Sequence, residues 1–224
     1  MKFDIITIFP DTVTPYTDAS ILGKAQEKKL IDISVHDLRK FSTNKHNNVD
    51  DTPYGGGPGM VMTVQPIDDA VKNIKTGKNA RVILTSASGK KFTHDDAKRL
   101  AKYDQVIFIC GRYEGIDARV EEHIADEALS IGDYVVTGGE LPAMVMTDAI
   151  ARHVEGVLGA MESLHEESHT QEGQLEYPQY TKPEIYGTEI DGEIKQWSVP
   201  DVLLSGHHAE IKKWREDQSN KRSV

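Results

Sequence analysis

The sequence predicts an α/β protein built on a parallel sheet with helices on both faces. Three observations carry this expectation. Short apolar, β-branched runs recur along the chain, stretches with helical spacing separate them, and glycine-bearing loops follow several of the runs. Strands alternating with helices bury a parallel sheet from both sides.

Taken in order, the runs place strands near 2–9, 32–36, 81–86, 105–110 and 127–131, with another near 134–137. Helical patterns lie near 18–29, 66–75, 94–102, 117–124 and 140–154. The helix after Gly138-Gly139 opens with Glu140, Leu141 and Pro142. An acid and a proline both suit a helix N-terminus. After Gly159 the composition shifts: residues 160–177 are polar and acidic and read as a linker or loop. Beyond it lies a small second unit. Its last piece reads as a helix starting near Ser205 or His207, with Ile211 and Trp214 on one face.

Composition narrows the class. A chain of 224 residues holds one large domain, or a medium domain with a small appendage. No run of 18 apolar residues exists, so no membrane span is expected. The start, MKFDIITIFPD, reads as a first strand and not as a secretory signal. Cys110 is the single cysteine, which rules out a disulfide framework and a thiolate metal site; the expected compartment is the cytoplasm. A formal charge of −10 argues by itself against nucleic acid. Local basic patches stand against that average: Lys212, Lys213, Arg215, Lys221 and Arg222 near the end, and Arg39, Lys40 and Lys45 beside His46.

Four segments bear chemistry. VDDTPYGGGPGM, 49–60, packs four glycines, two prolines and adjacent carboxylates into twelve residues. Such a cluster sits where a backbone turns sharply or approaches another molecule closely. LTSASG (84–89), CGRYEGID (110–117) and SIGDYVVTGGELPAM (130–144) each follow an expected strand. Ligands of open parallel sheets bind outside the carboxyl ends of the strands, so these three loops converge on one pocket. There is no GxxxxGK[ST], and no GxGxxG opens a helix after the first strand, so the pocket need not cradle a polyphosphate. GxSxG is also missing, and Cys110, ending an apolar strand, reads as a buried thiol.

Together these segments resemble the bacterial tRNA (guanine-N1)-methyltransferases of the TrmD family, knotted methyltransferases of the SPOUT class. The resemblance runs over almost the whole chain: FDIITIFPD, KHNNVDDTPYGGGPGMVM, CGRYEGIDARV, SIGDYVVTGGELPAM, DAIARHVEGVLG, YPQYTKPE and VPDVLLSGHHAEIKKWR occur in order. It implies an α/β domain tied in a C-terminal trefoil knot over 1–160, a linker and active-site loop over 161–177, and a small, shortened helical tRNA-binding domain over 178–224. It implies S-adenosylmethionine bent in the knot and a homodimer whose active sites are built from both chains. The implied reaction is methylation of N1 of the guanosine immediately 3′ of the anticodon in tRNA. A magnesium ion is compatible with the resemblance, although no motif here would ligate it.

Residue by residue, the resemblance assigns the cofactor to Thr85, Ser86 and Gly89 in the first loop, and to Gly111, Tyr113 and Glu114 in the second. In the third loop it assigns Ile131, Gly132, Tyr134, Val136, Gly138, Gly139 and Pro142. His46, Asp50 and Gly59 fall beside the target guanine, and Arg152 beside its O6. Guanine N1 carries a proton when neutral, so it needs a general base, a role that a positioned carboxylate can fill. The family's base is an aspartate; Glu167 takes its place here and His169 takes that of the following phenylalanine, with Glu166 and His169 as alternative bases. Two other readings remain open: a knotted paralogue acting on a different RNA, and a protein that binds RNA or S-adenosylmethionine without turnover.

Overall fold

A computed structural model of the chain describes residues 1–159, 167–170 and 173–223. The chain divides into two compact units, 1–159 and 160–224. The first is an α/β domain around five parallel strands: β1 (Lys2–Thr7), β2 (Asp32–Asp37), β5 (Ala80–Lys91), β6 (Gln105–Cys110) and β7 (Glu127–Ser130). Their order is β2-β1-β6-β5-β7. Central β6, QVIFIC, is buried along its whole length, as a strand covered on both faces must be. Its side chains alternate between two cores. Val106, Phe108 and Cys110 join Ala97 and Leu100 of α4 (His94–Leu100) and Met146 and Ile150 of α6 (Glu140–Ala151). Ile107 and Ile109 join Ile67, Ala70 and Val71 of α3 (Val64–Ile74) and Val120 of α5 (Ala118–His123).

Two short helices, α1 (Thr14–Thr17) and α2 (Ser20–Glu27), follow β1. Two-residue strands β3 (Asp50–Asp51) and β4 (Val61–Met62) pair antiparallel and close the glycine cluster as a hairpin. The expected strand near 134–137 does not form. That segment is an irregular loop in which Val135 is 84% exposed; it crosses the sheet end with no ladder partner.

The second unit differs from the expected small helical domain. Besides α7 (Asp201–Leu204) and α8 (His208–Arg222), it carries an antiparallel hairpin, β8 (Ile185–Ile190) and β9 (Glu193–Ser198). Asp191 and Gly192 at its turn both have positive φ, 55° and 79°. An Asp-Gly pair between β-formers is the local signal for such a turn, and the helical expectation overlooked it. Within α8, Ile211 and Trp214 share the half-buried face, as their spacing predicts, and Trp214 meets Tyr180 at 6.2 Å between ring centroids. Among the described residues, no helix is long and apolar enough to cross a membrane.

Candidate active site

The first of the three glycine-bearing loops bulges within β5, the other two leave the carboxyl ends of β6 and β7, and together they enclose a cleft of about 460 Å³. From the first loop it is lined by Thr85, Ser86 and Ser88. Gly111, Tyr113 and Glu114 of the second loop line it as well. The third contributes Ile131, Tyr134, Val136, Gly138, Gly139 and, opening α6, Pro142. Two expected residues, Gly89 and Gly132, are not on the wall, and packing accounts for both. Gly89 sits where β5 bulges between Thr85 and Lys90; a Cβ there would lie 2.6 Å from the Ala128 carbonyl carbon of β7. A Cβ on Gly132 would lie 2.5 Å from the ring of Tyr134, so this glycine lets that ring fold back against the loop.

The α6 N-terminus presses on the strand ends. Gly139 N–H donates to the Gly111 carbonyl at 2.8 Å, and a Cβ on Gly139 would lie 2.1 Å from Thr85 Oγ1. Glu140 lies deeper than a helix-capping acid needs to. Its carboxylate accepts from Thr7 Oγ1 at 2.6 Å and from Arg112 Nε at 2.9 Å. Arg112 and Thr7 were not singled out from the sequence; the signal available was that Arg112 is the lone cation in CGRYEGID. Cys110 is fully buried, and burial pushes its thiol well above the usual range. That environment suits the packed thiol the sequence predicts.

The glycine hairpin is stitched to this cleft. Glu114 N–H donates to the Met60 carbonyl at 3.0 Å, Met62 N–H to Gly115 at 2.9 Å and Asp117 N–H to Met62 at 3.0 Å. Gly59, at φ +77°, has its Cα face against Glu114, 2.5 Å from where a Cβ would stand to the Glu114 Cγ. Thus one proposed substrate residue touches one proposed cofactor residue directly. Asp50 is half-buried in β3, and His46 is exposed before it with its N–H held by Asn44 Oδ1 at 2.8 Å.

Arg152 is not brought to this cleft within one chain. It caps the C-terminal end of α6, a helix of 12 residues whose first turn is at the cleft. At the usual rise per residue the two ends stand about 18 Å apart. Glu167 belongs to the second unit, where its carbonyl accepts from Thr170 Oγ1 at 2.9 Å. His169 is exposed with φ +69°, and Glu166 lies outside the described residues. No cluster of three metal-ligating side chains occurs among the described residues.

The cleft suits a small molecule with a cationic group. Its volume falls in the range of small-molecule sites, and Glu114 and Glu121 lie on its wall while the guanidinium of Arg112 is committed to Glu140. A parallel sheet carrying a ligand cleft at its carboxyl ends defines an α/β enzyme of the open-sheet class. The comparisons narrow that class. The whole chain, residues 1–224, matches the family described as tRNA (Guanine-1)-methyltransferase TrmD. Proteins named tRNA (guanine-N(1)-)-methyltransferase are close in sequence. One from Ruminiclostridium cellulolyticum is 49% identical over 98% of this chain and 91% of its own length. One from Mycoplasmopsis agalactiae is 49% identical over 100% and 94%, and one from Geobacter sulfurreducens is 48% identical over 98% and 86%. The chain belongs to the TrmD family of tRNA (guanine-1)-methyltransferases.

Proposed function

We propose that this protein methylates N1 of the guanosine immediately 3′ of the anticodon in tRNA, in the cytoplasm, with S-adenosylmethionine as methyl donor. The observation that carries the reading is the match of the entire chain, site segments included, to one family. S-adenosylmethionine, when bound, supplies an electrophilic methyl group. The residues of the chain do the rest. The backbones of the three loops hold the adenosine, Glu114 and Glu121 favour the cationic end by charge, and the knot expected of the family keeps the loops together. Glu167 removes the N1 proton, Arg152 stabilises the charge that develops toward O6, and Asp50 and His46 hold the guanine edge, whose N–H donors suit a carboxylate. The exposed cations of α8 engage the phosphate backbone.

The distance along α6 supports a site shared by two chains. Arg152 stands a helix length from the cleft of its own protomer, so a partner's Arg152 is the one that completes the site. The outer face of α6 agrees. Leu141 and Val145, one turn apart, are 56% and 50% exposed, and Tyr16, itself half exposed, donates to Asp148 Oδ2 at 2.6 Å on the same helix. Apolar side chains in a row beside a ligand site suit burial against a second copy.

Incubation of a total tRNA pool with labelled S-adenosylmethionine, followed by nucleoside analysis, should yield labelled 1-methylguanosine. Label in another nucleoside would favour a paralogue with a different target, and tRNA or cofactor binding without label a non-catalytic binder. Glu167→Gln should lower single-turnover methylation by ~10²–10⁴-fold while S-adenosylmethionine still binds. An unchanged rate would remove Glu167 as the base. Arg152→Ala should slow the chemical step and spare cofactor affinity.

A further inference from the structure

At the cleft, the densest polar constellation outside the assigned residues centres on Glu140. Its side chain is 3% exposed, although it sits in the first turn of a helix. Oε1 accepts from Thr7 Oγ1 at 2.6 Å, and Oε2 accepts from Arg112 Nε at 2.9 Å and Nη2 at 2.8 Å. The third guanidinium nitrogen, Nη1, donates to the Thr137 carbonyl at 3.1 Å. The guanidinium carbon lies 4.7 Å from the centroid of the Phe9 ring. One carboxylate and one guanidinium thereby tie together the end of β1, the loop after β6 and the segment leading into α6.

Helix capping does not explain this. An acid near a helix N-terminus gains its dipole energy while exposed. Burial adds a desolvation cost that only a full set of partners offsets. An ammonium could not replace the guanidinium, because three nitrogens are engaged in a planar fork. The fork also shapes the cleft. Arg112, Thr137 and Gly138 line it, and a Cβ on Gly138 would stand 2.1 Å from Arg112 Nε. Next to Arg112, Tyr113 is held at φ +60°, a conformation a non-glycine residue keeps only when its surroundings impose it. Directly after it come Glu114 and Gly115, to which the glycine hairpin is hydrogen-bonded.

We infer that Glu140 is a positioning residue: through Arg112 it holds the loops after β6 and before α6 in the shape that receives the cofactor. The inference rests on the reading of the cleft as the S-adenosylmethionine site. Three variants of the full-length protein test it. Glu140→Gln keeps size and the Thr7 bond but removes the charge. Arg112→Lys keeps charge but not the fork. The double variant Glu140→Gln with Arg112→Gln removes both charges. Calorimetry with S-adenosylhomocysteine reads affinity, thermal unfolding reads stability, and single-turnover methylation at saturating S-adenosylmethionine reads chemistry.

Each single variant should lose about 10–100-fold in S-adenosylhomocysteine affinity, with a smaller loss in the saturated single-turnover rate. The double variant should regain thermal stability, since no unpaired charge is left buried, but not affinity. The inference is overturned if a folded variant binds with unchanged affinity, or if affinity recovers with stability in the double variant, which would make the pair a structural ion pair alone. Should Glu140→Gln fail to fold, Arg112→Lys carries the comparison. If the unaltered protein binds no S-adenosylhomocysteine, the reading of the cleft falls and the inference with it, an outcome distinct from normal binding by the wild type and its variants alike.

Discussion

Replacing Gly139 by alanine probes the contact that seats α6 on the sheet. The added Cβ would lie 2.1 Å from Thr85 Oγ1 and 2.7 Å from both the Cys110 Cα and the Gly111 nitrogen. Thr85 could rotate away, but two of these neighbours are backbone atoms of a central strand and its loop, so the helix end must yield. Overpacking of this kind costs about 1–3 kcal/mol. Lifting the helix end also stretches the 2.8 Å bond from Gly139 N–H to Gly111, worth about 0.5–1.5 kcal/mol more. At ~2–4 °C per kcal/mol for a chain of this size, the midpoint of thermal unfolding should fall by roughly 5–15 °C. Because both partners line the cleft, S-adenosylhomocysteine affinity measured by calorimetry should fall as well. Gly187→Ala is the control. Nothing lies within 4 Å of the Cβ it would add, and its backbone is not left-handed; stability should stay within about 0.5 kcal/mol or rise slightly. A Gly139→Ala protein that melts and binds like the wild type would refute the close seating of α6.

Two further predictions concern association and acid stability. Leu141→Glu with Val145→Glu, at the half-exposed pair on the outer face of α6, should turn the proposed dimer into a monomer in light scattering and abolish methylation while leaving the protomer folded. An unchanged oligomeric state would place the interface elsewhere. Asp4 is buried in β1, which by itself would raise its pKa, but hydrogen bonds from His36 at 2.7 Å, Gln105 at 2.7 Å and Lys2 outweigh burial and hold it below the ordinary value. A group depressed in the folded state contributes stability above its unfolded pKa and loses it as pH falls through the folded one. Asp4→Asn should therefore flatten the fall in urea-unfolding free energy below about pH 4, and an undiminished slope would exclude Asp4 as a source of it.

Much of the first unit was legible because local and global preferences agree there. QVIFIC is apolar throughout, and such a run survives only between two covering layers. Its strand, 105–110, forms where the sequence predicts it. The glycine loops after β6 and β7 were legible because each follows a strand, and parallel strands carry their loops to the same end of the sheet; LTSASG instead forms a bulge inside β5, which runs on to Lys91. Where a side chain packs is less visible. Gly89 and Gly132 resemble ligand glycines in sequence, yet one accommodates a bulge and the other an aromatic ring. Their neighbours, Ala128 across the sheet and the folded-back Tyr134, are set by register and side-chain rotamer. The run 134–137 has strand composition but pairs with no strand, so it stays a loop.

By itself the sequence determined the alternation of strands and helices, the end of the sheet at which chemistry gathers, and, through its long motifs, the family. Only the tertiary structure decided that Arg112 and Glu140 meet in a buried fork, that Gly59 lies against Glu114, and that Arg152 stands a helix length from the cleft of its own chain. The physical reason is separation along the chain. Periodicity reports which face of an element is apolar, whereas the two contacts join residues 28 and 55 positions apart. Sheet order and the seating of α6 on the strand ends are what bring them together or hold them apart.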